Sequence, residues 1–287
     1  DQSLENSLAQ MTEAGIEYVD LRINYAQPEL IALAQQHGFQ TIELLQIYEA
    51  TSPLATAATI TPLPLERLTE QQRQELIALA GKAFTYSRLY RDPAIPQRIA
   101  DTFYESLVTS VLSQPQTIGH FLPAEDGGVA GFVIGALESD PSRTAILWTI
   151  AVRPSLKGKG IGSQLLTHFV NGLIAKGYTA EIGTQTDNHA AKALYEKHRI
   201  PITAQLFSFH RHAQPSAGRD SRPRSTRRVF SPDSISGEYD ASAQHEQEFE
   251  KVKWGSQESM ENRFHLAMEK LPFSSSRRWL DIGCGTG

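Results

Sequence analysis

The stretch Ile146–Val170, ILWTIAVRPSLKGKGIGSQLLTHFV, decides how this chain is read. It opens as an apolar strand that ends at Val152. Pro154 and Ser155 turn the chain. Lys157-Gly158-Lys159-Gly160-Ile161-Gly162 then leads directly into a helix with Ile161, Leu165, Leu166, Phe169, Val170 and Leu173 on its apolar face. Glycines at such a point let successive backbone N–H groups face one spot with no side chain in the way. The helix start adds unpaired donors and a partial positive charge, and Lys157 and Lys159 add whole charges. This pattern is suited to holding a pyrophosphate. It is not a Walker loop, because no Gly-Lys-Ser/Thr closes it, and its glycine spacing is not that of the dinucleotide fingerprint. The structural alternative is a tight turn whose glycines serve packing.

Around this stretch the chain reads as alternating elements of an α/β (α+β) fold. Tyr18 to Ile23 alternates as a strand with Val19, Leu21 and Ile23 on one face. Pro28 opens a helix that carries Leu30, Leu33 and Ala34 and ends before Gly38. Thr41 to Ile47 is a second strand. Leu65 to Phe84 reads as a strand end and a helix. SRLYRDPAIP, Ser87 to Pro96, reads as a turn-rich loop. Ile99 to Leu112 is helical, with Ile99, Phe103, Leu107 and Val111 at four-residue spacing. The strands Thr117–Leu122 and Val129–Leu137 are joined by a hairpin signal at Pro123–Gly127. After the glycine loop and its helix come a strand (Tyr178–Thr184), a helix and a last strand (Thr203–Phe209).

The bulk properties exclude some functions. A net charge of −5 over 287 residues gives no basic field for nucleic acid. No apolar run approaches a bilayer span, and no charged-then-apolar leader opens the chain. The single cysteine, Cys284, rules out an internal disulfide framework and fits a reducing, cytoplasmic setting.

VRPSLKGKGIG resembles motif A of the GNAT acyltransferases, whose Gln/Arg-x-x-Gly-x-Gly/Ala cradles the pyrophosphate of acyl-CoA. Lys157 stands where Gln or Arg is usual, and Gly160 and Gly162 match. TDNHAAKALYEKHRI resembles the family's motif B, with Asn188, Ala191, Leu194 and Tyr195 in place. Arg199 and Ile200 stand at its usual Gly-Phe, so an altered turn after that helix is expected. AFTYSRLYRDPAIP, YESLVTSVL and the N-terminal αβ piece resemble dTDP-fucosamine acetyltransferase and its amino-sugar relatives.

The resemblance implies an acetyl-CoA-dependent N-acetyltransferase acting on a small amine, with a nucleotide-linked amino sugar as the expected acceptor. Its alternatives are a protein N-terminus or another small amine as acceptor, or a degenerate, acyl-CoA-binding adaptor module of a methyltransferase. It implies that Ile150, Ala151 and Val152 present backbone groups to the acyl carbonyl and pantetheine. The cofactor-binding set continues through Lys157, Gly158, Lys159, Gly160, Ile161, Gly162 and Ser163, and Asn188 bonds the pantetheine arm. Tyr195 is the expected proton donor to the departing thiolate; a buried packing tyrosine is the alternative role. Asn188 could equally serve as a helix N-cap, with Asp187 as the rival cap. Arg88, Tyr90 and Asp92 are expected to line the acceptor side. His120 reads as an ordinary strand residue, and no metal ligand set is expected. Leu147–Ala151 carries no carboxylate, so a water relay is the expected route for the amine's proton.

The expected organisation is an αβ lobe over 1–61, the GNAT domain over 62–212, and a flexible arginine-bearing linker over 213–237. A partial domain would follow over 238–287. There LDIGCGTG resembles motif I of class I S-adenosylmethionine methyltransferases, with Asp281, Gly283, Gly285 and Gly287 matching. S-adenosylmethionine binding is expected only of a longer chain carrying the rest of such a Rossmann-like sheet. The Asp1 start and mid-motif end read as a fragment.

Overall fold

The computed structural model describes residues 2–13, 16, 18–55, 61–137, 143–212 and 279–282. The linker read at 213–237 and most of the stretch read as a methyltransferase start lie outside the described residues. In chain order the elements begin α1 (Gln2–Glu13), β1 (Tyr18–Asn24), α2 (Pro28–Gln36), β2 (Gln40–Ala50) and β3 (Leu63–Pro64). Next come α3 (Glu70–Ala83), α4 (Arg88–Arg91), α5 (Gln97–Val111), β4 (Thr117–Pro123), β5 (Val129–Leu137) and β6 (Thr144–Val152). The last are α6 (Ile161–Ile174), β7 (Thr179–Gln185), α7 (His189–Lys197), β8 (Ile202–His212) and β9 (Trp279–Ile282).

The described residues divide into two compact units. One comprises 2–44, 205–212 and 279–282; the other spans 45–204. In the first, β1 pairs antiparallel with β8, Tyr18 opposite His212 and Asn24 opposite Leu206. Its other edge pairs parallel with β9, Tyr18 opposite Trp279. A strand at 279–282 standing alone would leave its backbone groups unsatisfied, and here it docks on β1. Val19, Leu21 and Ile23 are buried with Leu8, Met11, Leu30, Leu33 and Phe209. Pro28 sits in the first turn of α2, as its locked φ favours.

The second unit is a sheet with helices on both faces. β3, β4, β5 and β6 pair antiparallel in that order. β6 then pairs parallel with β7, and β7 antiparallel with Leu45–Ala50 of β2. Strand β5 explains the two layers. Phe132 and Ile134 join Leu76, Ala80, Val108 and Val111 of α3 and α5. Between them Val133 points the other way, into a core with Leu165, Leu166, Phe169, Val170 and Tyr195 of α6 and α7. A strand covered on both sides reads as an unbroken apolar run, as Val129–Leu137 does. Helix α3 begins with a full capping box, Thr69 and Gln72 each bonding the other's backbone N–H.

Three local readings are corrected. SRLYRDPAIP holds a one-turn helix, α4, rather than turns alone. The buried stripe of α5 is Ala100, Tyr104, Val108 and Val111, not the expected stripe of Ile99, Phe103, Leu107 and Val111. Tyr104 is large enough to anchor the helix by stacking between Phe84 and Tyr90, which rotates the stripe by one residue. Finally, the turn after α7 is not altered. Arg199 takes φ 55°, the left-handed conformation that glycine favours. Its N–H donates to Glu196 O at 2.9 Å and that of Ile200 to Tyr195 O at 3.1 Å, the Schellman pattern. The helix end therefore keeps its shape with an arginine in it, at a backbone cost of about 1 kcal/mol.

The feature that positions the site is a bulge. Along the β5–β6 ladder Ile134 faces Thr149 but Gly135 faces Leu147, leaving Trp148 as the extra residue. Pairing between β6 and β7 runs only from Thr144 to Leu147 and stops there. Gly135 lies at the bulge because nothing larger fits. A Cβ would fall 2.3 Å from Ile146 O and 2.8 Å from Phe169 Cζ. Gly135→Ala is expected to cost about 2 kcal/mol, as overpacking in a rigid core does, read as a lower midpoint in denaturant. An unchanged midpoint would show that the bulge yields freely.

Candidate acyl-carrier site at the end of the parallel strands

Beyond Leu147, β6 stays paired with β5 as far as Val152 opposite Gly131. The Arg153 N–H donates to Ala130 O at 2.9 Å. Donors alternate sides along a strand, so the Ala151 N–H also faces β5. Those of Ile150 and Val152 face the opposite side, where β7 no longer pairs. Their side chains are core residues as well: Ile150 packs on the α6–α7 face and Ala151 on the α3–α5 face. Arg153, which sequence reasoning passed over, pins this strand end. Its guanidinium donates to Val129 O at 3.0 Å, Asp126 Oδ2 at 2.6 Å and Glu75 Oε2 at 3.3 Å. The bond from Arg153 holds the Asp126 carboxyl below its ordinary pKa.

The glycine loop follows. Lys157, Gly158, Lys159 and Gly160 are exposed. Gly158 and Gly160 take φ 79° and 80°, which residues with a Cβ rarely adopt. Gly160 is the N-cap of α6 and offers no side chain to cap it. The first N–H with a helical partner is that of Gln164, which bonds Gly160 O at 3.1 Å. The N–H groups of Ile161, Gly162 and Ser163 therefore have no partner within the helix. A Cβ at Gly162 would reach Leu194 Cδ2 at 3.6 Å, so α7 lies against this helix start. Lys197 Nζ donates to Ser163 Oγ at 3.2 Å. The donor set, open glycines and two lysines fit a pyrophosphate-bearing carrier.

Helix α7 brings the second group of residues. Asn188 is its N-cap, accepting from the Ala191 N–H at 3.3 Å. Asp187 is not the cap. Its carboxylate takes Arg91 of α4 at 2.5 Å and is held below its ordinary pKa by that bond. The Gly160 loop follows β6 and Asn188 follows β7. These strands are parallel, so both lie at one end of the sheet, and Arg91 ties α4 to it. Neither Arg91 nor its pairing is legible from motif or spacing.

The expected acceptor residues are occupied locally. The Tyr90 hydroxyl donates to Asp101 Oδ1 at 2.7 Å, and burial, then that bond, raises its pKa. Asp92 is buried, and its Oδ1 accepts from the Ala94 N–H at 2.8 Å. Arg88 opens α4 and is half-buried. His120, on β4, meets His168 of α6 edge-on at 4.5 Å; its pKa is pushed down to about 4 by burial first and His168 second.

Tyr195 is 3 % exposed, with its ring 5.1 Å from that of Tyr48. Burial, and then Tyr48, raise its pKa above the ordinary 10.0. The phenol is therefore protonated throughout the physiological range.

Residues 82–199 match the model of the acetyltransferase (GNAT) family. This segment has the GNAT fold. Two L-2,4-diaminobutyric acid acetyltransferases are similar to parts of the chain. The one from Nocardia farcinica is 35 % identical over 71 residues, which is 24 % of this chain and 37 % of that protein. The one from Virgibacillus pantothenticus is 34 % identical over 47 residues, 16 % of this chain and 30 % of that protein. The chain thus spans less than two-fifths of the length of either relative. Among solved structures, a GCN5-related N-acetyltransferase from Sphaerobacter thermophilus is similar with a TM-score of 0.49 at 16 % identity, covering 75 % of this chain and 69 % of that one. No helix among the described residues is long and apolar enough to cross a membrane.

The tyrosine's environment gives a signed prediction. A phenol whose folded pKa lies above its unfolded value contributes stability that is complete below the unfolded value and lost as pH rises past it. Alkaline titration above the ordinary phenol value of 10.0 is expected to destabilise the parent more than Tyr195→Phe, in denaturant melts across that window. Equal losses in the two proteins would place the phenol in water.

Proposed function

We propose that the GNAT segment transfers an acetyl group from acetyl-CoA to the amine of a small soluble molecule. The observation that carries this reading is the coincidence at one sheet end of the unpaired run of β6 and the donor-rich start of α6. Bound acetyl-CoA would supply an activated acetyl thioester. The Ile161, Gly162 and Ser163 amides, with Lys157, Gly158, Lys159 and Gly160, would hold its pyrophosphate. The Ile150 and Val152 amides would bond the acyl carbonyl and the pantetheine beside it, with Ala151 between them. Donors fixed before reaction and aimed at developing charge are the strongest single contribution a site of this kind makes. Asn188, already spending one acceptor on its own helix, keeps its amide N–H groups for the pantetheine arm.

Tyr195 would give its proton to the departing thiolate, a role that requires the neutral phenol its burial maintains. β6 carries no carboxylate between Leu147 and Ala151, so the amine's proton would leave through water.

For the acceptor, the names of the two diaminobutyric acid enzymes favour a small aliphatic amine. The amino-sugar reading rested on the SRLYRDPAIP resemblance. It is weakened because Tyr90 and Asp92 spend polar groups on Asp101 and Ala94. The methyltransferase reading of LDIGCGTG adds no activity to this proposal.

The test is thiol release from acetyl-CoA across L-2,4-diaminobutyrate, other aliphatic diamines, dTDP- and UDP-amino sugars, and peptide N-termini. Release with a small amine is expected, and Tyr195→Phe should lower turnover by about 10²-fold with acetyl-CoA affinity nearly intact, the signature of a lost proton donor. Release only with peptides would overturn the acceptor class. Turnover of Tyr195→Phe within about twofold of the parent would return Tyr195 to packing.

A further inference from the structure

A polar cavity lies within the unit that carries the GNAT match, at the far end of α7 from Asn188. Its volume is about 250 Å³, and Glu49, Pro53, Leu54, His198 and Arg199 contribute to its wall. Asn188 caps the start of α7 and His198 its end. Nine helical residues separate them, on the order of 14 Å at 1.5 Å per residue. The cavity is thus distinct from the proposed acyl-carrier site.

Three features mark it. Glu49 is half-buried and makes no ion pair among the described residues, and neither does Arg199. The lining thus includes one acidic residue, half-buried, and one basic residue, exposed to solvent, neither of them paired with another charge among the described residues. His198 adds Nε2, buried and without a hydrogen-bond partner. Arg199 also stands in the left-handed conformation, at φ 55°. The turn itself needs no arginine there, since glycine would hold it with less strain. Backbone strain of this sort clusters where a side chain is used.

We propose that this cavity binds a free α-amino acid as a non-reacting ligand. Its carboxylate would lie on Arg199, which matches a carboxylate in two parallel bonds, and its ammonium on Glu49. A ligand of a single charge would satisfy one wall and leave the other unpaired.

Calorimetric titration of the full chain with L-alanine, in the absence of acetyl-CoA, tests this separately from acyl transfer. L-alanine has no side-chain amine and serves as a probe of the zwitterion alone. Saturable binding at millimolar concentration or below is expected. Both Glu49→Gln and Arg199→Gly should weaken it at least tenfold. The second variant removes strain, so lost binding cannot be put down to unfolding, and thermal melts of both variants check this. Acetate and methylamine should each bind at least tenfold more weakly than L-alanine. No heat with L-alanine up to 10-fold above about 1 mM, binding indifferent to both substitutions, or acetate binding as well as L-alanine would each overturn the proposal. Failure of the thiol-release assay would leave this result unaffected, because no acetyl-CoA is present.

Discussion

Everything proposed for this site depends on two parallel strands ceasing to pair. A sheet normally consumes its backbone donors in its ladders, because an unpaired buried N–H is costly. Here β6 and β7 are bonded from Thr144 to Leu147 and no further. The bulge at Trp148 falls at that point on the opposite ladder. The extra residue re-aims the strand while β5 keeps hold of it, and Arg153 fixes its end through three acceptors. The result is a strand edge on which the amides of Ile150 and Val152 face away from β5 and are not paired by β7. A ligand with carbonyl and amide groups can add itself there as a strand would.

In the proposed reading, the next turn of the chain would place a charged carrier beside this strand edge. Gly158 and Gly160 adopt conformations that bring the start of α6 round without side chains over its amides. α7 closes against the same helix start through Leu194 and Lys197. α4 is joined to the head of α7 by Arg91 and Asp187. An exposed pair of that kind contributes little to stability, usually under about 1 kcal/mol. Its significance is geometric, since it fixes where the α3–α5 connection lies relative to Asn188.

Much of this was legible in the residues, and the reasons for the failures are physical. The strand, loop and helix of Ile146–Val170 could be read because glycine, lysine and apolar spacing each speak to local conformation. Val129–Leu137 could be read as a strand from its hairpin signal; that it is buried on both faces from Val129 to Ala136 is what the structure adds. The stripe of α5 was misread because stacking of Tyr104 on Phe84 and Tyr90 outweighs simple four-residue spacing. Arg199 was expected to change its turn, yet the Tyr195–Ile200 bonding of the helix end holds it in the glycine conformation. Tyr90 and Asp92 carry polar groups that a sequence offers to substrate and a fold assigns to Asp101 and Ala94. Arg91–Asp187 joins residues far apart in the chain, which no local pattern encodes.

The central claim is that the unpaired amides of β6 and α6 receive an acyl-CoA. Hydrogen–deuterium exchange of the full chain, resolved to single amides by NMR with and without acetyl-CoA, tests it directly. Protection should rise at Ile150 and Val152 and at Ile161, Gly162 and Ser163, while Ala151, already facing β5, changes little. Acetyl-CoA binding with no change at the Ile150 and Val152 amides, or protection confined to another part of the chain, would contradict the account.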